Sequence, residues 1–123
     1  MSDLLAGMHV LILEDEFLIA MDVEQLCRDH GAGDVTIVQS LDGLSNGLDL
    51  DGIDAAVIDV MVGGMPTLDF ASTLRQRGTP FVFASGYTDF NNIASNFPGV
   101  ALVGKPYSGD DLIHALASAS GRA

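Results

Sequence analysis

Five short runs of apolar residues divide this chain of 123 residues at nearly regular intervals. They cover residues 8–13, 35–39, 55–60, 80–85 and 100–103, with the sequences MHVLIL, VTIVQ, AAVIDV, PFVFAS and VALV. The runs are mostly continuous and do not alternate with polar residues, which is the pattern of strands buried on both faces. We therefore predict a parallel sheet of five strands that is covered by helices.

Helical periodicity fills the segments between the runs. Ile19, Val23 and Cys27 share one helical face, and Gly31 supplies a C-terminal stop. Similar spacing predicts further helices around residues 41–48, 70–77, 90–97 and 112–119, with Ala119 on the buried face of the last. Because right-handed crossovers join parallel strands, this alternation predicts an α/β, doubly wound (βα)5 fold with helices on both faces of the sheet.

Charge and composition limit the classes of protein to which this chain can belong. The formal net charge of −12 argues against nucleic-acid binding and suits divalent cations or a basic partner surface. No run reaches the roughly 18 apolar residues of a membrane span. The single cysteine, Cys27, fits a reducing compartment. We expect one domain over residues 1–123, without an output domain or a membrane association, in the cytoplasm.

Polar residues gather where the predicted strands end. Glu14 and Asp15 follow the first strand, Asp59 ends the third, and Ser85 ends the fourth. Lys105, the only lysine in the chain, follows the fifth. In doubly wound sheets the functional site lies beyond the carboxyl ends of the strands, so we expect these side chains to share one site.

The three acids of this group suggest what the site holds. Glu14, Asp15 and Asp59 repel one another when no cation is present. A pocket of oxygen ligands without sulfur or imidazole suits Mg²⁺, or Mn²⁺ or Ca²⁺ in its place. Mg²⁺ commonly keeps phosphate oxygens among its ligands, and the ammonium of Lys105 can point at a phosphate as well.

Four motifs, taken together and in this order, resemble a known family. They are LILEDE at the acid pair, AVIDVMVGG around Asp59, FVFASGY around Ser85 and VGKPY around Lys105. Over essentially its whole length the chain resembles the receiver domain of two-component response regulators. The resemblance implies a CheY-like, flavodoxin-like fold with the five strands in the order 2-1-3-4-5.

The resemblance also implies a role for each residue at the acidic end of the site. Asp59 would accept a phosphoryl group from a phosphohistidine on a sensor histidine kinase or a phosphotransfer protein. Asp15 and Asp59 would bind Mg²⁺ together with the backbone carbonyl of Met61, and Glu14 would act through a water molecule. The acyl phosphate would be hydrolysed by the domain itself, so the protein is expected to be a signalling module and not an enzyme.

On the other side of the phosphoryl group, Ser85 would bond one oxygen and Lys105 would pair with another. In relatives the peptide bond that corresponds to Lys105–Pro106 is cis. A downstream protein target and a homodimer are both compatible with this reading.

The chain departs from the commonest receiver pattern at two positions. Leu102 stands where many receivers carry an aromatic residue, and Ser85 stands where threonine is commoner. The FASGY motif resembles a subgroup, often of single domains, with a Phe-Ala-Thr-Gly-Tyr-like motif. We therefore expect the signal to leave through residues 85–97, with Tyr87 as the anchor. Leu102 has no ring and so cannot act as the aromatic switch that many receivers carry at this position.

Three other functions remain open from the sequence. A flavin-binding protein would share the architecture, although the acids after the first strand would repel its phosphate. A hydrolase with an aspartyl-phosphate intermediate would carry an acid where Met61 stands. A receiver-like domain that only binds partners would not need the acid, hydroxyl and lysine set.

Overall fold

The computed structural model of the chain describes residues 3–42, 50–85, 97, 99–104 and 109–121. Five strands form a parallel sheet: β1 (His9–Leu13), β2 (Asp34–Val38), β3 (Ala55–Asp59), β6 (Phe81–Ser85) and β7 (Leu102–Gly104). A short hairpin of β4 (Met61–Val62) and β5 (Met65–Pro66) follows β3. The order in the sheet is β2-β1-β3-β6-β7. Counted along the sheet alone, this is the predicted order 2-1-3-4-5, which is confirmed.

Both faces of the sheet are buried, and this explains the continuous apolar runs. Val10 and Ile12 of β1 belong to the hydrophobic cluster on one face of the sheet. Leu11 and Leu13 belong to the cluster on the opposite face. Successive side chains of a strand point to opposite faces, so a strand that is covered on both sides has no position for a polar residue until it ends.

The described helices lie on both faces of the sheet. Three α-helices are described, α1 (Phe17–Asp29), α2 (Leu68–Arg77) and α3 (Gly109–Ala119), and a single turn of 3-10 helix covers Leu50–Gly52. Buried residues of α1 and α3 share one cluster, and buried residues of α2 belong to the other. The predicted buried face of α1 is confirmed, whereas Ala119 is exposed because α3 buries the stripe Leu112, Ile113, Leu116 and Ala117.

Two of the predicted helices lie largely outside the described residues. Of the segment 41–48 only Leu41 and Asp42 are described, and of the segment 90–97 only Phe97. The ring of Phe97 packs edge-on against Phe83, with ring centroids 5.3 Å apart, and against Phe81 at 6.1 Å. This aromatic group fixes the end of that segment to the core of the sheet.

In the part of the chain that the structure describes, no helix combines the length and the apolar character needed to cross a bilayer.

Cys27 provides a test of the core between α1 and α3. It is fully buried, and burial, reinforced by the charge of Glu24 and opposed by Arg28, raises the pKa of its thiol from 9.0 to about 12. We expect iodoacetamide at a pH near 8 to leave the native protein unmodified and to alkylate the chain in urea, because only an accessible thiolate reacts. Mass spectrometry measures both; comparable alkylation in the two states would contradict the buried position.

The same thiol makes stability depend on pH. The folded pKa lies above the unfolded value, so the contribution of Cys27 is complete below pH 9.0 and is lost as the pH rises toward 12. Urea unfolding at several alkaline pH values should show a decline that is smaller for Cys27→Ala, whose own loss of stability is read at neutral pH.

Candidate functional site

Three carboxylates converge at the carboxyl edge of the sheet. β1 and β3 are parallel neighbours with Leu13 opposite Ile58, so Glu14 and Asp59 come next at the same edge. One carboxylate oxygen from each of Glu14, Asp15 and Asp59 lies within 4.8 Å of the other two. The structure thus brings together the three acids that the sequence predicted would meet.

These acids lie at different depths. Glu14 is 2% exposed and Asp59 is 7% exposed, whereas Asp15 faces the solvent. The backbone N–H of Glu14 donates to the carbonyl of Val38 at 3.1 Å, which continues the pairing of β1 with β2. The group is therefore closed on the Glu14 side and reachable from solvent on the Asp15 side.

Backbone donors orient the Asp59 side chain. The N–H of Met61 donates to Asp59 Oδ1 at 3.3 Å. The N–H of Val60 donates to the carbonyl of Ala84 on β6 at 3.1 Å, which holds the end of β3 against its neighbour. The carboxylate of Asp59 consequently stands at the middle of the sheet, at the point where the chain turns away from it.

A tight hairpin follows Asp59, and the apolar pattern of the sequence did not predict it. Its turn residues Gly63 and Gly64 have φ angles of +59° and +77°, which favour glycine. The N–H of Gly63 donates to Asp15 Oδ2 at 2.9 Å. The hairpin therefore joins the acid after β1 to the segment after β3, and the Gly-Gly pair was the signal that could have revealed it.

Thr67 is a second feature that the motifs did not reveal. It is 1% exposed, and its hydroxyl donates to the carbonyl of Asp59 at 2.6 Å. Its backbone N–H donates to the carbonyl of Val60 at 2.9 Å. The sequence gives no signal of such a contact, because the partner of the hydroxyl is a backbone oxygen eight residues away.

The donor set fits a hard divalent cation. Every side-chain ligand atom in the cluster is a carboxylate oxygen, and their mutual distances are short enough for one ion to touch more than one of them. Met61, whose carbonyl was predicted to take part, begins β4 two residues after Asp59 and is half-buried. The residues present therefore match the chemistry that Mg²⁺ requires.

The remaining predicted residues are placed as follows. Ser85 ends β6, one residue beyond the pair formed by Asp59 and Ala84, and the structure describes its backbone alone. Tyr87, Lys105 and Pro106 lie outside the described residues.

Leu102 is half-buried in β7 and pairs in register with Phe83. It packs against the same apolar cluster as Phe97. Its side chain thus contributes to the face of the sheet that carries the aromatic group.

Comparison with known proteins gives matches among solved structures. No family model and no curated protein matched the sequence. A response regulator receiver protein from Sinorhizobium medicae superimposes with a TM-score of 0.78 at 27% identity, over 94% of this chain and 95% of that one. The N-terminal signal receiver domain of a two-component response regulator from Bacteroides fragilis gives 0.79 at 21% identity, over 96% and 99%.

A third structure is a larger protein. It is a variant of the anti-anti-sigma factor PhyR from Bartonella quintana, with a TM-score of 0.80 at 22% identity. The match covers 97% of this chain and 51% of that one. The strand order, the acid cluster at the strand ends and these neighbours agree with one another: the fold of this chain is that of the response regulator receiver domains.

Proposed function

We propose that this chain is a phosphoacceptor module in which Asp59 accepts a phosphoryl group from a phosphohistidine in a Mg²⁺-dependent reaction. The observation that carries the proposal is the convergence of Glu14, Asp15 and Asp59 at the carboxyl edge of a receiver fold, with Asp59 ending the central strand. The donor would be a sensor histidine kinase or a phosphotransfer protein, and the chain would act as a signal carrier in the cytoplasm, where such donors are made.

The chemistry requires one bond to form and one to break. A carboxylate oxygen of Asp59 attacks phosphorus, the P–N bond breaks, and its electron pair stays on the imidazole nitrogen, which takes up a proton. The product is an acyl phosphate. Water later attacks phosphorus, and the Asp59 carboxylate leaves, which returns the protein to its starting state and releases inorganic phosphate.

Phosphoryl transfer depends chiefly on placement and on neutralisation of charge. The Met61 N–H orients Asp59 Oδ1, and the buried position of Asp59 limits access to approach from the solvent side. Asp15, Asp59, the Met61 carbonyl and, through water, Glu14 would hold the cation, which supplies charge neutralisation at the phosphoryl oxygens. Ser85 and Lys105 would contact those oxygens.

The proposed output is a rearrangement of residues 85–97 with Tyr87 as its anchor. The packing of Phe97 against Phe81 and Phe83 supports this, because it ties the far end of the segment to the same strand that ends at Ser85. A downstream protein would recognise the rearranged surface. The chain would belong to the receiver subgroup that the FASGY motif resembles.

An exposed apolar surface lies beside the site and supports a binding place for the phosphodonor. Phe17 and Leu18 begin α1 and are 56% and 77% exposed, although both are large and apolar. They follow Asp15 by two and three residues, so a protein that brings a phosphohistidine to Asp59 passes next to them. We propose that they contact the donor protein.

The first test is the site of phosphorylation. Acetyl phosphate with Mg²⁺ should add one phosphoryl mass to the natural chain, removable by hydroxylamine, and none to Asp59→Asn. Asp54→Asn is a matched control, because Asp54 precedes the same strand at its opposite end and is exposed. Undiminished labelling of Asp59→Asn, measured by intact-mass spectrometry, would overturn the proposal.

The second test is cation binding. At a Mg²⁺ concentration about 100 times the dissociation constant, the free energy of unfolding of the natural chain should rise by about 2.7 kcal/mol. Asp15→Asn keeps an acceptor for the Gly63 N–H but loses the charge, so its melting curve should hardly respond to Mg²⁺. Asp22→Asn, an exposed acid of α1, should respond like the natural chain; an equal response of Asp15→Asn would place the cation elsewhere.

The third test concerns the donor surface. With the purified sensor kinase that labels the natural chain fastest, Leu18→Ser should slow phosphotransfer about tenfold, as expected for loss of an apolar anchor at an interface. Labelling by acetyl phosphate should be unchanged, because Leu18 is exposed and the small donor needs no protein surface. Equal slowing with both donors would mean that Leu18 acts on the site itself.

A further inference from the structure

Thr67 occupies a position where its side chain ordinarily has another use. It is the N-cap residue of α2, yet its side chain makes no hydrogen bond to the helix. Threonine at this position commonly accepts a hydrogen bond from the first turn, which stabilises the helix. Here the hydroxyl is 1% exposed and donates to the carbonyl of Asp59 at 2.6 Å.

The two donors of Thr67 act on two successive peptide units. The unit between Asp59 and Val60 is held at its N–H by the carbonyl of Ala84 and at its carbonyl by the Thr67 hydroxyl. The next unit, between Val60 and Met61, is held at its carbonyl by the Thr67 N–H, 2.9 Å away, and by the Thr67 hydroxyl, 3.1 Å away. Because a peptide unit is planar, fixing its carbonyl also fixes the direction of its N–H.

That second N–H is the one that reaches the proposed nucleophile. Met61 N–H donates to Asp59 Oδ1 at 3.3 Å. From these contacts we infer that Thr67 is a positioning residue for the Asp59 carboxylate. It acts through the Val60–Met61 peptide unit and sets the direction of the Met61 N–H. This inference rests on the proposed function, since it concerns the efficiency of the same phosphoryl acceptor.

The β4–β5 hairpin restrains the same segment at a second point. The hydrogen bond from the Thr67 hydroxyl to the Asp59 carbonyl joins the two ends of residues 59–67, and the bond from Gly63 N–H to Asp15 Oδ2 holds the turn between them. With both ends held, the segment that carries Met61 has little freedom to turn. Loss of the Thr67 hydroxyl removes its contacts with the carbonyls of Asp59 and Val60. The Thr67 N–H still donates to the Val60 carbonyl and the Val60 N–H still donates to Ala84, so the segment loosens at this end without coming away from the sheet.

Three variants separate this role from a general contribution to stability. Thr67→Val keeps the shape of the side chain and removes the hydroxyl, and Thr67→Ser keeps the hydroxyl and removes a methyl group. Thr73→Val is the matched control, because the Thr73 hydroxyl of the same helix also donates to a backbone carbonyl, that of Asp69, at 3.2 Å. Labelling by acetyl phosphate with saturating Mg²⁺ is measured at a temperature where all variants are fully folded.

We expect Thr67→Val to be labelled about tenfold more slowly than the natural chain, since small misplacement of a reacting group has a large effect on rate. Thr67→Ser and Thr73→Val should stay within about twofold of the natural rate. In the NMR spectrum, with no phosphodonor present, the Met61 amide signal should shift in Thr67→Val and keep its position in the other two variants.

The outcomes are distinguishable. If the natural chain is not labelled at Asp59, the proposed function fails. If the natural chain and Thr67→Val are labelled at the same rate, or if Thr67→Ser is as slow as Thr67→Val, the positioning role is overturned. Should Thr67→Val not fold, Thr67→Cys takes its place, because a thiol is a weaker donor of similar size, and the expected order of rates is threonine and serine above cysteine.

Discussion

The parallel pairing of β1 with β3 is the interaction on which the site depends. Their register sets Leu13 opposite Ile58, and both residues are fully buried. A charged residue in either strand before that pair would disrupt the hydrophobic core. The first charged residues, Glu14 and Asp59, come immediately after the pair. The acids therefore meet because the hydrophobic contacts of the two strands stop at the same level.

Holding these acids together works against stability. Burial of Glu14 and Asp59 removes them from water, and carboxylates at such short separation repel one another. Natural sequences accept such local conflicts mainly at functional sites, where the surrounding structure supplies the compensation. Here the compensation is visible in the backbone donors of Met61 and Gly63, each directed at a carboxylate oxygen.

Most of the fold and the acidic half of the site could be predicted from the sequence. Buried strands produce unbroken apolar runs, and strand ends in a parallel sheet meet at one edge, so Asp15 and Asp59 could be matched from residue order alone. The Gly63–Asp15 bond and the Thr67 hydroxyl could not be found in this way. Both join residues that are distant in sequence through backbone atoms, and backbone geometry leaves no trace in residue type except at the two glycines.

The direction of the buried face of α3 was the other weak point. The spacing of Leu112, Leu116 and Ala119 is compatible with one helical face, and so is the spacing of Leu112, Leu116 and Ala117. The structure buries Ala117 and leaves Ala119 exposed, although Ser120, the next residue, is half-buried. Periodicity therefore identifies the helix, but the surface that it packs against decides which side of the apolar stripe is buried.

The two-glycine turn has a consequence for the length of the chain. Most surface connections tolerate insertions at small cost, since the entropy of closing a loop grows slowly with its length. This turn should not tolerate insertions, because the Gly63 N–H must reach Asp15 while the Thr67 hydroxyl reaches the carbonyl of Asp59. One residue added between Val62 and Met65 would shift the pairing of β4 with β5 and turn the Gly63 amide away from the acid. The geometry of the site accordingly fixes the number of residues between Asp59 and Thr67. Homologous chains can therefore be aligned on this number as well as on the acids themselves.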